Sequence, residues 1–399
     1  MAATPQSTRP ILIAGGGIGG LAAALALADC GFRCRVLELR PVFEEAGAGI
    51  QIGPNGVKAL RALGVDASLA PHVGVPDAII VRDGRRGRLV TQLPLGAGIA
   101  ARMGAPYWTA HRADLHAALA EAASRNPRIA ITMGFAASRL EATDGGVRVV
   151  ASSGAEATGA ALIGADGLWS STRGYVADRA TARFAGRRAY RAVIPAAHAP
   201  EAIAGNTIGL WLAPRCHVVH YPVRAGTEIA VVVILSESAA GEGWSMAAGP
   251  SEVMDRVKFL DRGLQDALAT VTAWRSWNLY EAPPLKTWSN GRVVLVGDAA
   301  HPMLPFLAQG GVLALEDALT LAHGMKTSSG DLPAAFEAFT AARLARARRV
   351  ATTSRHNGTI YHFGGIMALA RSAVLRAVPS NRLMARYDWL YSWTPPGPN

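Results

Sequence analysis

Residues 11–30 read ILIAGGGIGGLAAALALADC, and the stretch admits two readings. Ile11 to Ala28 carries no charge and follows Arg9, as the apolar core of a secretory signal or a membrane span would. The same residues contain Gly15-x-Gly17-x-x-Gly20, the spacing of a dinucleotide-binding loop. Five of the eighteen residues from Ile11 to Ala28 are glycine, all within Gly15–Gly20, where a signal or a span wants unbroken helix. Before them, RPILIAG is a short β-branched run suited to a buried parallel strand. After them, IGGLAAALALADCG is a helical pattern ended by Gly31, and FRCRVLELR is a second strand with Glu38 at its end, 18 residues beyond Gly20. The sum is a βαβ unit. In such a unit the first glycine makes a tight turn, the second lets backbone approach a pyrophosphate, and the third lets helix pack on strand. The helix N-terminus faces the phosphates, and the acid on the second strand takes the ribose hydroxyls. On this segment alone, NAD and FAD both fit.

The rest of the composition is consistent with a folded nucleotide-binding protein. At 399 residues the chain suits two domains, or one elaborate α/β domain with an insertion. Half of it is hydrophobic, 17% is charged and 43 residues are Gly, which supports a large core rather than disorder. Forty Lys+Arg against 29 Asp+Glu give +11, but the basic residues are mostly scattered arginines. That pattern argues against nucleic acid and suits anionic small molecules. The denser group Arg343, Arg346, Arg348 and Arg349 would spread around a helix and reads as a solvated face. Cys30, Cys34 and Cys216 match no metal pattern and leave an odd thiol, which points to a reducing, cytoplasmic compartment. Beyond the opening stretch nothing approaches about 20 apolar residues, so no membrane span is expected.

Two later stretches narrow the nucleotide. ALIGADGLWSSTR (residues 161–173) is a strand ending in a tight turn with Asp166 and Gly167. GRVVLVGDAAHPMLPFLAQGGVLALEDALTLA (residues 291–322) is a buried strand, a Gly297-Asp298 turn, a proline-punctuated loop and a helix starting near Gly310–Gly311. A carboxylate at the end of a strand reaches sugar hydroxyls, and a glycine-started helix offers its positive end to negative charge.

The three motifs in this order resemble the single-component, class A flavoprotein aromatic hydroxylases, whose DG and GD motifs correspond to the last two. The likeness runs over almost the whole chain, through GAGIQIGPNG (residues 47–56), HRADLHAAL (111–119), PRCHVVHYPVR (214–224) and the C-terminal IYHFGG…YDWLYSW. These stretches look like the salicylate and 3-hydroxybenzoate hydroxylase branch rather than the para-hydroxybenzoate branch. The resemblance implies that Gly15, Gly17, Gly20 and Glu38 hold the ADP half of FAD, and that Arg112 binds the chain between its halves. Asp298 would bond the ribityl hydroxyls, and the Gly310–Gly311 helix start would face the flavin pyrimidine ring. Asp166 and Gly167 would serve nicotinamide docking and contact with the FAD pyrophosphate; the alternative for Asp166 is a turn cap. No second Gly-x-Gly-x-x-Gly unit serves NAD(P)H, as is usual for such enzymes. One departure is that relatives often carry Arg directly after the ribose-binding acid, whereas Leu39 intervenes here before Arg40.

Between the DG and GD motifs, TIGLWLAP, CHVVHYPVR and TEIAVVVILSE alternate with turns and read as an antiparallel meander. His217, Val219 and Tyr221 would share one strand face, with His217 and Tyr221 about 13 Å apart, while Val218 and His220 point the other way. The related hydroxylases carry catalytic or substrate-binding His and Tyr at this spacing, so the resemblance gives His217 the phenolic proton and Tyr221 the orientation of the ring. Pro305, with Pro302, would shape the flavin front and offer carbonyls to the flavin hydroperoxide. Leu210, Trp211, Met303, Leu304 and Phe306 could keep the pocket dry. Gln309 would touch substrate or flavin, and Arg191 would anchor a carboxylate unless it is an exposed strand arginine.

The expected architecture is α/β: a Rossmann-like FAD-binding domain in three segments (8–75, 106–180 and 279–330), a mainly antiparallel β substrate domain in two (76–105 and 181–278), and a helical C-terminal region (331–399). The expected activity is FAD-dependent, NADH- or NADPH-consuming, O2-using hydroxylation of a small phenolic acid, salicylate- or hydroxybenzoate-like, or an N-heteroaromatic analogue, by a monomer or homodimer. The rivals are a flavin oxidase or dehydrogenase on the same fold and a non-catalytic binding protein that has lost the redox chemistry.

Overall fold

The opening stretch folds into the middle of a sheet. In the structure, a computed structural model describing residues 9–43, 49–143, 145–177, 181–240 and 245–397, strand Ile11–Ala14 is buried at every position. It pairs in parallel with Cys34–Leu37 on one side and Ala161–Gly164 on the other. Val293–Leu295 and Ile129–Thr132 extend the parallel set, and Ser289–Asn290 closes one edge antiparallel. Residues 8, 180 and 399 of the expected segment boundaries, and Gly47 and Ala48 of the GAGIQIGPNG stretch, lie outside the described residues.

Helix Ile18–Asp29 is buried on nearly all sides, which explains its lack of a polar face. It packs between the helices Arg112–Arg125 and Gly310–Thr327. A Cβ on Gly19 would stand 3.3 Å from that of Ala314, so small residues let the two helices approach. Gly31, at φ +90°, ends the helix with its N–H on the Ala28 carbonyl (3.0 Å), where a side chain would be strained.

A second sheet has eight strands in the order 245–248, 274–281, 183–195, 228–236, 216–223, 207–213, 78–83, 89–94. All its neighbours are antiparallel except Thr207–Ala213 beside Ala78–Asp83. The meander read from residues 207–237 is its centre. Strict alternation sends one set of side chains, including Tyr190, Trp211, Val218, Val231 and Val233, against the helices Pro250–Val257 and Arg262–Ala269. The opposite face, with Ala189 and Ile234, meets Leu304 and Phe306 of the loop before helix Gly310–Thr327. That loop bridges the two sheets. The C-terminus is helical: Leu332–Tyr361, Gly365–Ala377, Ser380–Ala385 and Asp388–Tyr391. Among the described residues no helix is long and apolar enough to cross a membrane.

Two expectations are corrected. Arg343 and Arg346 are not on a solvated face. Arg343 is 2% exposed, and its Nη1 lies 2.8 Å from Glu316 and its Nε 2.7 Å from Asp317. Arg346 grips both Glu316 oxygens at 2.7 Å. The acids sit on helix Gly310–Thr327, so two arginines one helical turn apart clamp that helix. The second correction is Trp211: it follows Leu210 on a strand, so the two cannot share a face, and Trp211 joins the helix-covered core while Leu210 faces the loop.

Candidate active site

Each glycine of the first turn meets a different constraint. Gly15 has φ +100°, and a Cβ there would stand 2.5 Å from the Ala165 carbonyl oxygen. A Cβ on Gly20 would stand 1.9 Å from the Gly15 oxygen, so the third glycine seats the helix on the strand. Around Gly17 nothing lies within 4 Å of a built Cβ, which leaves open backbone at a helix N-terminus. Glu38 stands beside this loop: its Oε2 accepts from the Gly16 N–H at 2.6 Å and its Oε1 from the Arg40 N–H at 2.9 Å. His116 Nε2 lies 2.7 Å from the Gly16 oxygen and ties the Arg112-led helix to the loop.

The second and third turns join the first along one sheet edge. The Ala165 N–H donates to the Ala14 oxygen (2.8 Å), so the 166–172 turn abuts Gly15. The Asp166 carboxylate accepts from Ser170 Oγ (2.5 Å), Ser171 Oγ (3.2 Å), and the Thr172 N–H and Oγ1 (3.0 Å each). Those bonds fasten its own turn, and Gly167, at φ +75° with open space beside it, is the exposed backbone of the pair. Arg173 donates from Nε to the Ala299 oxygen (2.8 Å), linking the second turn to the third. Asp298 is open to solvent at the end of its strand, and the protein around its carboxylate desolvates it in part. Burial raises its pKa, against the pull of His301, Arg112 and Arg173. Its Oδ1 lies 3.8 Å from a Cβ built on Gly310, where the next helix starts.

Because the strands are parallel and neighbours, Asp298, Asp166, Gly15 and Glu38 follow their C-terminal ends in that order across the edge. Three strand spacings of ~4.8 Å give an edge about 14 Å long. A Cβ on Gly311 would lie 3.8 Å from Ile18 Cδ1, so the N-termini of helices 310–327 and 18–29 converge on the same crevice. An extended anionic dinucleotide fits this row: open backbone and two positive helix ends for its phosphates, a carboxylate at each end for its polyol groups.

Beyond this row lies a chamber. On the face of the large sheet turned to the loop, one cross-strand row, Arg191, Val232, Val219 and Leu210, is half-open at every position. The next row, Ala189, Ile234, His217 and Leu212, is buried at every position. The loop that meets this face through Leu304 and Phe306 also carries the half-buried Pro302, Met303 and Pro305. His217 and Tyr221 share this face as the strand period requires, and His220 packs on the other, under Gly209. His217 Nδ1 lies 2.8 Å from His362 Nε2, and its ring stands edge-on to Phe306 and Tyr361. Burial first, then His362 and Arg187, drive the His217 pKa well below the usual imidazole range; burial and Arg187 take His362 to about 3. Both rings are neutral at physiological pH. Tyr221 packs against Gly49, where a Cβ would stand 2.3 Å from its ring, and burial pushes its hydroxyl up to about 12 although Arg191 lowers it.

Arg191 is not an exposed strand arginine. Its guanidinium lies over Trp277, 5.1 Å from the ring centroid, its Nε is buried without a hydrogen bond, and burial lowers its pKa. The Pro305 carbonyl accepts from the Ala308 N–H (3.1 Å), so only its second lone pair remains for a ligand. Gln309 is 1% exposed, and its Oε1 accepts from Asn55 Nδ2 (2.9 Å), which also donates to Glu316 (2.7 Å). Gln309 therefore belongs to the buried ionic network behind the chamber. Sequence reasoning missed Tyr107, whose hydroxyl donates to Gln51 (2.9 Å) in the strand pair beside Tyr221, and it missed His362. His362 lies in the IYHFGG stretch, but nothing local places it beside His217. The adjacent acids Glu316 and Asp317 in a largely apolar helix are the signal from which buried partners could have been found.

Known proteins resemble the chain in sequence and in overall fold. The family described as FAD binding domain matches residues 8–354. The 3-hydroxybenzoate 6-hydroxylase of Polaromonas naphthalenivorans (strain CJ2) is 38% identical over 386 residues, 96% of each chain. Klebsiella pneumoniae HpxO complexed with FAD and uric acid superposes with a TM-score of 0.86 at 26% identity, covering 97% of both chains. A salicylate hydroxylase substrate complex does so at 0.81 and 27% identity, over 97% of this chain and 96% of the other. The chain thus belongs to the FAD binding domain family, as a flavin-dependent aromatic monooxygenase that draws on a nicotinamide donor and dioxygen.

Proposed function

We propose that the chain hydroxylates a small phenolic acid of the 3-hydroxybenzoate type, with salicylate-like acids and N-heteroaromatic analogues in the same class. The observation carrying this reading is the half-open row through a buried sheet face, which includes the desolvated guanidinium of Arg191. A largely apolar chamber with a desolvated guanidinium at its wall favours a flat apolar ring bearing a carboxylate. When bound, FAD accepts hydride from NADH or NADPH and activates dioxygen. Gly15, Gly17, Gly20 and Glu38 would hold its ADP half, Arg112 and the Gly167 backbone its centre, Asp298 its ribityl chain, and the Gly310–Gly311 helix start its pyrimidine edge. Asp166 acts by keeping its turn closed.

In the chamber, Arg191 holds the carboxylate and Tyr221 orients the ring. His217 has Nδ1 engaged by His362, so Nε2 is the nitrogen left to take the phenolic proton. A neutral imidazole is the form able to accept it. Pro305 shapes the flavin front, and Gln309 acts from behind through Asn55. The apolar row Val232, Val219 and Leu210 excludes water. The thiols Cys30, Cys34 and Cys216 fit a reducing cytoplasm, and the enzyme would work there as a monomer or homodimer.

The test is a panel of hydroxylated benzoates and pyridine carboxylates scored for stimulated NAD(P)H consumption, with products identified by mass. The expected product carries one added oxygen. Arg191→Gln is expected to raise KM for carboxylated substrates by about 30-fold or more, the cost of unpairing a buried charge, with less effect on uncharged phenols. Substrate oxidation without added oxygen, or no stimulation by any phenolic acid, would overturn the proposal.

A further inference from the structure

A chain of hydrogen bonds leaves the chamber behind His217. His217 Nδ1 meets His362 Nε2 at 2.8 Å, and His362 Nδ1 meets Ser236 Oγ at 3.1 Å. Ser236 is half-buried and lines an open pocket of about 270 Å³ with Pro214, Arg215, Leu235, Arg256 and Phe259. The links come from distant parts of the chain: a strand of the large sheet, its neighbour, and the residue ending helix Leu332–Tyr361. The His362 carbonyl is held by the Arg215 N–H (3.1 Å), and the Arg215 carbonyl by the Ser236 N–H (2.9 Å), so backbone bonds fix all three links in one cluster.

From this we infer that His362 and Ser236 conduct the substrate's phenolic proton from His217 to the open pocket, and return one to the product oxygen. The inference rests on the phenolic-acid reading above. In the resting tautomer His217 Nδ1–H donates to His362 Nε2, and His362 Nδ1–H donates to Ser236 Oγ. The phenol proton bonds to His217 Nε2; the Nδ1 proton passes to His362 Nε2, the His362 Nδ1 proton to Ser236 Oγ, and the original hydroxyl proton to water in the pocket. One proton enters and one leaves, and neither ring holds a net charge at the end. The reverse movement protonates the product and resets both tautomers. Both imidazoles resist charging in this desolvated setting beside Arg187, so passing a proton on is favoured over storing it.

The experiment uses oxidised holoenzyme mixed rapidly with 3-hydroxybenzoate, following ionisation of the bound phenol by its ultraviolet spectrum and proton release by an indicator dye. His362→Phe and Ser236→Ala should slow both signals together by about 10-fold or more. Ser236→Ala removes only a half-buried hydroxyl, so it folds and keeps the test open should His362→Phe fail to fold. Small diffusible buffers should restore part of the rate in Ser236→Ala. Unchanged ionisation and release rates in Ser236→Ala, or slowing matched by an equal loss of ligand affinity, would overturn the relay. Wild-type enzyme that binds and hydroxylates no phenolic acid would instead overturn the underlying reading.

Discussion

Gly17 and Gly20 stand three residues apart in one motif, and their surroundings assign them opposite liabilities. A methyl group on Gly17 meets no protein atom and adopts an ordinary extended φ of −76°, whereas one on Gly20 would run into the Gly15 carbonyl at 1.9 Å. Gly17→Ala should therefore leave the apoprotein's stability within about 0.5 kcal/mol of wild type while weakening FAD retention. Gly20→Ala should cost several times that in urea unfolding, because neither strand nor helix can retreat from a buried contact. Equal losses of stability in the two variants would contradict this division of roles. Asp166 teaches a similar lesson. Its place in a motif suggested ligand contact, but four hydrogen bonds to Ser170, Ser171 and Thr172 give it a structural task that three small hydroxylated residues downstream had already made legible.

Helix Gly310–Thr327 carries the chemistry at its N-terminus and its anchor about two turns further on. Glu316 and Asp317 are fully buried and answered by Arg343, Arg346, His301 and the Gly297 N–H. Burial alone would raise the Asp317 pKa, but the His301 and Arg343 charges and the hydrogen bonds from His301 and Gly297 outweigh it and hold it at about 2. A carboxylate depressed from its ordinary 3.8 contributes stability that is complete above about pH 4 and is lost as pH falls toward 2. Wild type should accordingly lose urea resistance steeply over that window, and Asp317→Asn should show a flatter acid limb. Arg343→Met, which removes a charged partner from each of two buried carboxylates, is expected to destabilise by about 3–5 kcal/mol in denaturant titration. The adjacent acids in an apolar helix and the spaced arginines were both readable. Their pairing was not, because it depends on the angle and register at which two consecutive helices cross after the turn at residues 328–331.

Over the whole molecule, the nucleotide row draws on residues 15–38, 166–173 and 298–311, which meet only when four parallel strands are assembled. Each segment alone presents one or two groups to a ligand that needs all of them. FAD binding is therefore coupled to global stability: free cofactor at one hundred times Kd adds about 2.7 kcal/mol. Calorimetry of apoprotein and reconstituted enzyme should show a higher Tm for the latter. Hydrogen exchange should slow at all three turns together. Protection confined to the first turn would contradict a shared crevice.

Local sequence determined the elements and their chemistry. Glycines where a side chain would collide, β-branched runs where strands are buried on both faces, and strict alternation through His217 and Tyr221 each express a constraint spanning a few residues. The tertiary structure alone decided which distant groups meet: His362 against His217, Arg343 against Asp317, Trp211 turned away from the chamber and Arg191 turned in. Such meetings depend on strand order, register and helix crossing, which balance many weak contacts across the fold, so no short window of residues contains them.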